Sequence, residues 1–502
     1  MRIIGNSVRT LVAGALLGGL AFAQSDRLVI GIGAEVQSMD PMVATDVASF
    51  TRLNAIMEPL VVFDPSFALQ PRLAHSWELA DDISTLTFYL RDDVVYHNGH
   101  PFTSADVRYT FETVLDPDAG ASNAALYAAI GEIETPDDYT VVFHLNQPHV
   151  FLINNMARMP IVPNDPEHDH SVHPIGTGPY SFVSQVRDDR MILERFDDYW
   201  GGAGELQFLE YRVIPENSTR LLAFEAGELD VTQTQLPTTE LERLEADPNW
   251  VMERTPGTGY TFLAFNTEVA PFDDYRVRQA LNHLIPREAL VERIINGNGF
   301  PGISMLLPTM AWFNPDGPEF DYNPERAREL LEEAGVSFDT PFRLHTNQDN
   351  VRLQVAEVLA FEFTQIGLEV EIHSEEAAAF LARIQQTSDY DLIISGWSGQ
   401  LDPDRAMIRQ FHSGDDGTAN YPNYFNPRVD ELLELGAATD PTSQESIDIY
   451  REASDIIVSE SPYAFIWYAE EIALYHPYVE GWTVHGYSPA TFQNAHLITK
   501  NQ

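Results

Sequence analysis

The chain has 502 residues, a length that predicts two to four domains. Asp and Glu number 76 against 29 Lys and Arg, so the formal net charge is −47. Such a surface repels phosphate, and we expect no nucleic-acid partner. The chain has no cysteine, which excludes disulfides, thiolate metal sites and cysteine nucleophiles.

The charge is also unusual in kind, because Lys500 is the only lysine. Excess carboxylate with arginine as almost the only base indicates a halophilic acidic surface, whose self-repulsion is screened in concentrated salt. An acidic exported protein with a GC-rich codon bias is the alternative.

The first 23 residues have the composition of a signal peptide. Arg2 and Arg9 form a short basic region before an apolar run at 11–22, and the sequence AFA at 21–23 has the small residues that a signal peptidase requires. The run is too short to span a bilayer, which needs about 20 apolar residues. We therefore expect a cleaved signal peptide at 1–23, no lipid anchor because no cysteine follows, and a periplasmic protein.

Buried strands and amphipathic helices alternate along the rest of the chain. Asn217 or Ser218 is predicted to cap one helix, and Asn323, Pro324 and Gly335 mark the start and end of a later one. Strands are predicted at 28–33, 206–214, 229–231, 342–346, 368–373 and 390–395, with helices at 351–366 and 375–386. This alternation predicts an α/β fold with mostly parallel sheet.

Polar loops follow three of these strands, at 35–40, 346–350 and 396–404. Ligands of open parallel sheets bind outside the carboxyl ends of the strands, and a tryptophan beside glycines offers a flat surface to cover a ligand. The predicted ligand-binding residues are Glu35, Val36, Gln37, Thr346, Asn347, Gln348, Trp397, Ser398, Gly399, Gln400 and Asp402.

Short segments in a fixed order along the chain carry a resemblance to a known family. They are EVQSMDP at 35–41, EPL at 58–60, LAHSWE at 73–78, FYLR at 88–91, YHNG at 96–99, TSADV at 103–107, GTGPY at 176–180, AFNT at 264–267, PFDD at 271–274 and VRQAL at 277–281. The sequence resembles the periplasmic solute-binding proteins of the oligopeptide, dipeptide and nickel class, family 5, which serve ABC importers.

The resemblance implies a two-lobed periplasmic binding protein fold with hinge strands and an extra domain inserted in the first lobe. Lobe one would comprise 24–50, 175–265 and 480–502, the inserted domain 51–174, and lobe two 266–479. The lobes would close on a peptide or peptide-like solute, and the closed form would deliver it to ABC permease subunits in the inner membrane. No cofactor is implied, and we expect a monomer.

Two charged anchors of the family are replaced in this sequence. In peptide-binding members a carboxylate three residues after the matching tryptophan holds the peptide ammonium, and here that residue is Gln400. In dipeptide-binding members an arginine holds the ligand carboxylate where this chain has Thr346. A neutral ligand such as an oligosaccharide is therefore the alternative to a peptide, although Asp402 could still hold an ammonium, or Arg405 a carboxylate.

Three other classes of protein are alternatives to solute transport: a metal-binding protein, a secreted enzyme and a chemoreceptor-type binding protein. His168, His170 and His173 form a weak candidate metal site, but the segment is typical of an exposed loop and no metal is expected. No nucleophile-elbow or metalloprotease pattern is present, so no enzyme activity is expected. A chemoreceptor-type binding protein would have the same sequence features.

Overall fold

The computed structural model describes residues 26–44, 46–121, 123–233, 236–336, 341–414 and 419–501. The predicted signal peptide at 1–23 lies outside the described residues. The strands are β1 (Arg27–Ile32), β2 (Val61–Phe63), β3 (Leu69–Pro71), β4 (Ala74–Leu79), β5 (Thr85–Leu90), β6 (Ile130–Asp137), β7 (Thr140–Leu145), β8 (Tyr180–Val186), β9 (Arg190–Arg195), β10 (Phe208–Val213), β11 (Val231–Gln233), β12 (Val251–Phe265), β13 (Gly299–Pro301), β14 (Phe342–Asn347), β15 (Val370–Glu375), β16 (Leu392–Trp397), β17 (Tyr463–Tyr475), β18 (Val479–Glu480) and β19 (Thr499–Lys500).

The helices cover the faces of the sheets and connect their strands. They are α1 (Val47–Ile56), α2 (Ser104–Leu115), α3 (Leu152–Met156), α4 (Asn217–Glu225), α5 (Leu241–Ala246), α6 (Tyr275–Asn282), α7 (Arg287–Arg293), α8 (Pro324–Ala334), α9 (Asn350–Thr364), α10 (Ala377–Ala382), α11 (Pro403–Phe411), α12 (Pro427–Ala437) and α13 (Gln444–Glu460). None of the described helices is long and apolar enough to cross a membrane.

Helix α8 confirms the prediction from its end residues. Asn323 accepts a hydrogen bond from the Arg326 N–H, Pro324 is the first helical residue, and Gly335 ends the helix at φ 67°. The cap predicted for α4 was wrong by one or two residues. Glu216 caps this helix, because its longer carboxylate reaches the N–H groups of Ser218 and Thr219.

One large sheet runs through the molecule in the order β15-β14-β16-β12-β17-β11-β1-β10-β9-β8, and β13 also pairs with β17. Strand β1 is parallel to β10 and β11, and β14 is parallel to β15 and β16. Strands β12 and β17 are antiparallel to each other and to their outer neighbours. The parallel prediction is confirmed for β11-β1-β10 and for β15-β14-β16, whereas β9 is antiparallel to both β10 and β8. The antiparallel pair of β12 and β17 joins the two sides of the sheet.

Strands β12 and β17 are long enough to belong to both groups. Residues 251–256 of β12 pair with 470–475 of β17 beside β11, and residues 260–265 of β12 pair with β16. The register shifts between Pro256 and Tyr260, at the point where one group gives way to the other. We call the group with β1, β8, β9, β10 and β11 lobe one, and the group with β13, β14, β15 and β16 lobe two.

The inserted domain is an antiparallel sheet in the order β4-β5-β7-β6 with α2 packed against it. Its buried apolar side chains form one continuous core with those of lobe one. Lobe two has a core on each face of its sheet, one with α6, α8 and α9 and one with α11, α12 and α13. The residue boundaries predicted for the lobes and the inserted domain stay predictions.

Candidate functional site

A cavity of about 450 Å³ lies between the two lobes, and we call it the cleft cavity. Lobe one contributes Gly33 and Ala34 after β1, and lobe two contributes Ser398 and Gly399 after β16. Its wall includes Thr258, in the register shift of β12 that links the lobes. A cavity of this volume suits a small solute, and it would open or close with any movement of the lobes.

Arg405 lines this cavity from lobe two. Asp402 caps helix α11 by accepting a hydrogen bond from the Arg405 N–H at 2.8 Å, which fixes the backbone of Arg405 in the first turn. The Nε and Nη1 atoms of Arg405 are buried and donate to no acceptor. Burial, and then the charges of Arg158 and Arg409, lower the pKa of Arg405 to about 9.

Arg158 lines the same cavity from the opposite side, in the segment that follows α3. Its Nε donates to the Tyr487 hydroxyl at 3.2 Å, and its guanidinium carbon lies 5.1 Å from the centre of the Tyr487 ring. Its Nη1 donates to the Gly399 carbonyl at 3.4 Å, so Arg158 also joins the two sides of the cleft.

Two acidic residues line the cleft cavity, Glu471 on β17 and Asp46, which caps α1. Burial raises the pKa of Glu471 to about 7, although a hydrogen bond with Ser488 opposes the shift. Ser488 lines the cavity as well. The cavity thus combines the guanidinium groups of Arg158, Arg220 and Arg405 with the carboxyl groups of Asp46 and Glu471, and that of Glu471 is only partly ionised at neutral pH without a ligand.

The predicted loop after β16 reaches the cleft through Ser398 and Gly399. Gly399 has φ 68°, a left-handed conformation that favours glycine, and the chain turns there. The Gln400 amide then donates to the Ser398 carbonyl at 3.0 Å and accepts from the Gln410 Nε2 at 3.4 Å. Gln400 lines a different cavity of about 570 Å³, between the inserted domain and lobe two.

Trp397 and Asp402 also make contacts within the protein. The Trp397 ring stacks on Tyr421, with 5.0 Å between ring centres and 12° between planes. The Oδ2 of Asp402 accepts a hydrogen bond from the Asn154 Nδ2 at 3.0 Å, while its Oδ1 caps α11. Burial raises the pKa of Asp402, and neighbouring Asp404 raises it further. Neither Trp397 nor Asp402 lines the cleft cavity.

The predicted residues at the end of β14 do not line the cleft cavity either. Thr346 is fully buried, and its hydroxyl donates to the Ile394 carbonyl at 3.3 Å. The Asn347 amide oxygen accepts from Arg352 at 3.0 Å. Gln348 is exposed, and its N–H donates to the Glu375 carbonyl at 2.8 Å.

The loop after β1 is held by lobe one itself. Glu35 accepts hydrogen bonds from the Gln185 side chain at 3.0 Å and from the Asp188 N–H at 2.7 Å. Val36 is buried, and the Gln37 N–H donates to the Ser49 hydroxyl at 3.0 Å. Of the eleven predicted residues, Ser398 and Gly399 line the cleft cavity, and the ligand contacts of all eleven stay predictions.

The three histidines do not form a metal site within the described residues, where no group of three or more ligating side chains is close enough to hold an ion. The His168 and His170 rings are 4.6 Å apart, and the His168 Nε2 lies 2.6 Å from the His173 carbonyl oxygen. Burial lowers the pKa of His170 to about 4.

Sequence reasoning missed Arg158, Glu471 and Tyr487, and it considered Arg405 only as an alternative carboxylate partner. No local pattern distinguishes these residues, because they lie in four separate segments that meet only at the cleft cavity. The position of Arg405 three residues after a helix cap was the one available signal.

The chain is similar to known proteins over most of its length. The family model of bacterial extracellular solute-binding proteins, family 5 Middle, matches residues 68–418. The glutathione-binding protein GsiB of Pectobacterium atrosepticum is 28% identical over 478 residues, which cover 91% of each chain. Both this match and the structural matches extend over nearly the whole chain.

Two solved structures illustrate the structural similarity. The oligopeptide-binding protein AppA of Bacillus subtilis, in complex with a nonapeptide, has a TM-score of 0.82 and 25% identity, covering 95% of this chain and 99% of AppA. The binding protein AgaA of A. tumefaciens, in complex with agropinic acid, has a TM-score of 0.80 and 28% identity, covering 95% of this chain and 98% of AgaA. These matches confirm the predicted two-lobed α/β fold.

Proposed function

The chain belongs to the bacterial extracellular solute-binding proteins of family 5, and we propose that its solute is a peptide or a peptide-like molecule bound in the cleft cavity. One observation carries this proposal. The cavity lies where both lobes meet, beside the register shift of β12, so a bound solute would contact both lobes and favour their closed arrangement.

The size of the cavity and the ligands of similar proteins support the proposal. About 450 Å³ is in the range of sites for small ligands. The similar proteins bind glutathione, a nonapeptide and agropinic acid, and each of these compounds carries carboxylate groups. Gln400 and Thr346, which suggested a neutral ligand, make hydrogen bonds within lobe two and do not line the cleft cavity, so these two residues do not favour an oligosaccharide there.

The same proposal includes where the protein acts and what it delivers the solute to. The mature protein is a periplasmic monomer released by cleavage of a signal peptide at 1–23, without a lipid anchor. It delivers its solute to ABC permease subunits of the inner membrane, and it binds the solute without chemical conversion. The described part of the chain has no membrane-spanning helix, in keeping with this setting.

Binding is tested on the protein purified gently from its natural host. Mass spectrometry of the released small molecules should identify a peptide-like compound, and adding it back should lower the radius of gyration measured by X-ray scattering. Thermal shifts with di- to pentapeptides, their amidated and acylated forms and oligosaccharides then rank the solutes, since a ligand at 100 times its Kd stabilises by about 2.7 kcal/mol. Stabilisation by oligosaccharides alone would contradict the peptide proposal.

The acidic surface is proposed to be an adaptation to salt. A net charge of −47 destabilises the compact state through self-repulsion, and molar salt reduces the Debye length to about 3 Å. The melting temperature should therefore rise markedly from low to molar NaCl. A melting temperature that is constant over this range would contradict the adaptation and favour the codon-bias explanation.

A further inference from the structure

Arg158 and Arg405 are two cationic groups of the cleft cavity that the protein leaves without an anionic partner. Neither guanidinium has a carboxylate oxygen of a described residue within 4.0 Å. The Nε and Nη1 of Arg405 are buried without a hydrogen-bond partner. A buried cation in this state costs free energy, which an anion placed beside it would recover.

The nearest acidic residues do not supply that anion. Asp402 uses one carboxylate oxygen on the Arg405 N–H and the other on Asn154. Asp404 does not line the cleft cavity, and its Oδ2 lies 3.4 Å from the Nε2 of His149. The helix cap thus fixes the backbone of Arg405, while the Nε and Nη1 donors of its side chain have no acceptor in the protein.

Two carboxyl groups bring negative charge to the same cavity: Asp46, whose oxygens accept from the N–H and hydroxyl of Ser49 at 2.9 and 2.6 Å, and Glu471. Glu471 extends from β17 and lines the cavity together with both arginines. It has no arginine, lysine or histidine of the described residues within 4.0 Å, in contrast to the adjacent Glu470, which is 3.6 Å from Arg254. A cation beside Glu471 would stabilise its ionised form.

We propose that Arg158 and Arg405 bind a carboxylate of the solute and that Glu471 binds its amine, so that the cleft selects zwitterionic solutes. This inference rests on the proposed function and names its class of solute. Guanidinium groups match the planar carboxylate with paired hydrogen bonds, and the carboxyl group of Glu471 disfavours a ligand of purely negative charge, such as a phosphate. These residues would replace the charged anchors that Gln400 and Thr346 do not provide.

The test measures binding of four probes by calorimetry: trialanine, its C-terminal amide, N-acetyl-trialanine and glutathione. The ligand-free wild-type protein should bind trialanine or glutathione, and it should bind the amide and the acetylated form at least 10-fold more weakly than trialanine. Arg405→Gln should remove the preference for the free carboxylate, and Glu471→Gln should remove the preference for the free amine. Arg405→Lys, which keeps the charge without the paired donors, should retain part of the carboxylate preference.

Two matched variants control for long-range charge. Arg409→Gln is the control for Arg405→Gln: it removes one positive charge a turn further along α11, at a residue outside the cleft cavity. Glu470→Gln is the control for Glu471→Gln: it removes one negative charge at the adjacent residue, which also lies outside the cavity. Both should keep the wild-type preferences. A second measurement needs no solute: the melting temperature of ligand-free Arg405→Gln should rise above that of the wild type, because the unpartnered cation is removed. Arg409→Gln should raise it less, because it only relieves the repulsion between Arg409 and Arg405 and leaves the buried cation in place.

Three results would overturn the inference: an Arg405→Gln protein that still prefers the free carboxylate, a lower melting temperature of that variant, or a wild-type protein that binds none of the zwitterionic probes. If the wild type closes on a neutral solute instead, solute capture stands and the charged anchors are wrong. If no compound from the host extract binds or lowers the radius of gyration, the proposed function itself fails.

Discussion

Two regions of this protein bury charge in opposite ways. In the core shared by lobe one and the inserted domain, the fully buried Glu58 accepts four hydrogen bonds. Arg72 and the Tyr199 hydroxyl donate to its Oε1 at 2.6 and 2.9 Å, and Thr177 and Trp200 donate to its Oε2 at 2.9 and 2.8 Å. In the cleft cavity, Arg405 and Glu471 have no partner of opposite charge within 4.0 Å among the described residues.

Buried charges with partners and buried charges without partners have different roles in this protein. The chain supplies every partner of Glu58, so that carboxylate fixes the arrangement of several segments and needs nothing from outside. The charges of the cleft would be satisfied only by a molecule that the chain does not provide, and such groups mark a binding site. The following variants test whether the two regions differ in this way.

The largest loss in the free energy of unfolding is expected when the hydrogen-bond network of Glu58 is broken. Glu58→Gln places an amide donor against the donors that now bind the carboxylate, and it leaves the buried Arg72 without its counter-charge. We expect a loss of about 3–5 kcal/mol in the free energy of unfolding, measured with urea. The control is Glu112→Gln, whose partner Arg108 lies 3.7 Å away in an exposed ion pair. A loss below about 1 kcal/mol would show that the Glu58 network adds little stability.

In the cleft, Glu471→Gln is expected to change the free energy of unfolding by less than Glu58→Gln does and in the opposite direction, as an increase at high pH. The pKa of Glu471 is raised to about 7 from 4.5, so the folded state binds this proton more tightly than the unfolded chain. The resulting stability is present below pH 4.5 and is lost as the pH rises through about 7, a change of about 3 kcal/mol.

This change is measured as a difference between two proteins without ligand. Glu471→Gln should have nearly wild-type stability at pH 4.5 and exceed it at pH 8, since the amide never ionises. Urea unfolding at a series of pH values gives the difference directly, and subtraction removes the contributions of the other carboxylates. A difference that does not change with pH would show that Glu471 ionises freely in the folded protein.

The smallest effect concerns the contact between the inserted domain and lobe two. Burial lowers the pKa of His149, but Asp404, with its Oδ2 3.4 Å from the Nε2, outweighs burial and leaves the pKa raised above 6.5. The stability from this pair is fully present below pH 6.5 and is lost as the pH rises through the folded pKa. His149→Gln should therefore destabilise the protein at pH 6 and have less effect at pH 9. Equal destabilisation at pH 6 and pH 9 would show that His149 stabilises the protein by packing alone.

The sequence by itself determined the elements whose signals are local. Helix α8 begins and ends where Asn323, Pro324 and Gly335 predict, because caps are formed by hydrogen bonds within one turn of the chain. The parallel strands β11-β1-β10 and β15-β14-β16 were predictable for a similar reason, since buried strands and amphipathic helices have different periods. The family was predictable because its ordered segments extend along most of the chain.

Only the tertiary structure decided which charges face the cleft. Arg158, Arg405 and Glu471 come from distant segments that meet at the cleft cavity. Counting from Trp397 predicted Gln400 as a ligand contact, which stays a prediction; Gly399 at φ 68° turns the chain, and Gln400 bonds to Ser398 and Gln410 beside a different cavity. A one-residue change in such a loop redirects every later side chain, so sequence position alone does not locate the charged groups. The lobes provide those groups only when the sheet has brought its two halves together.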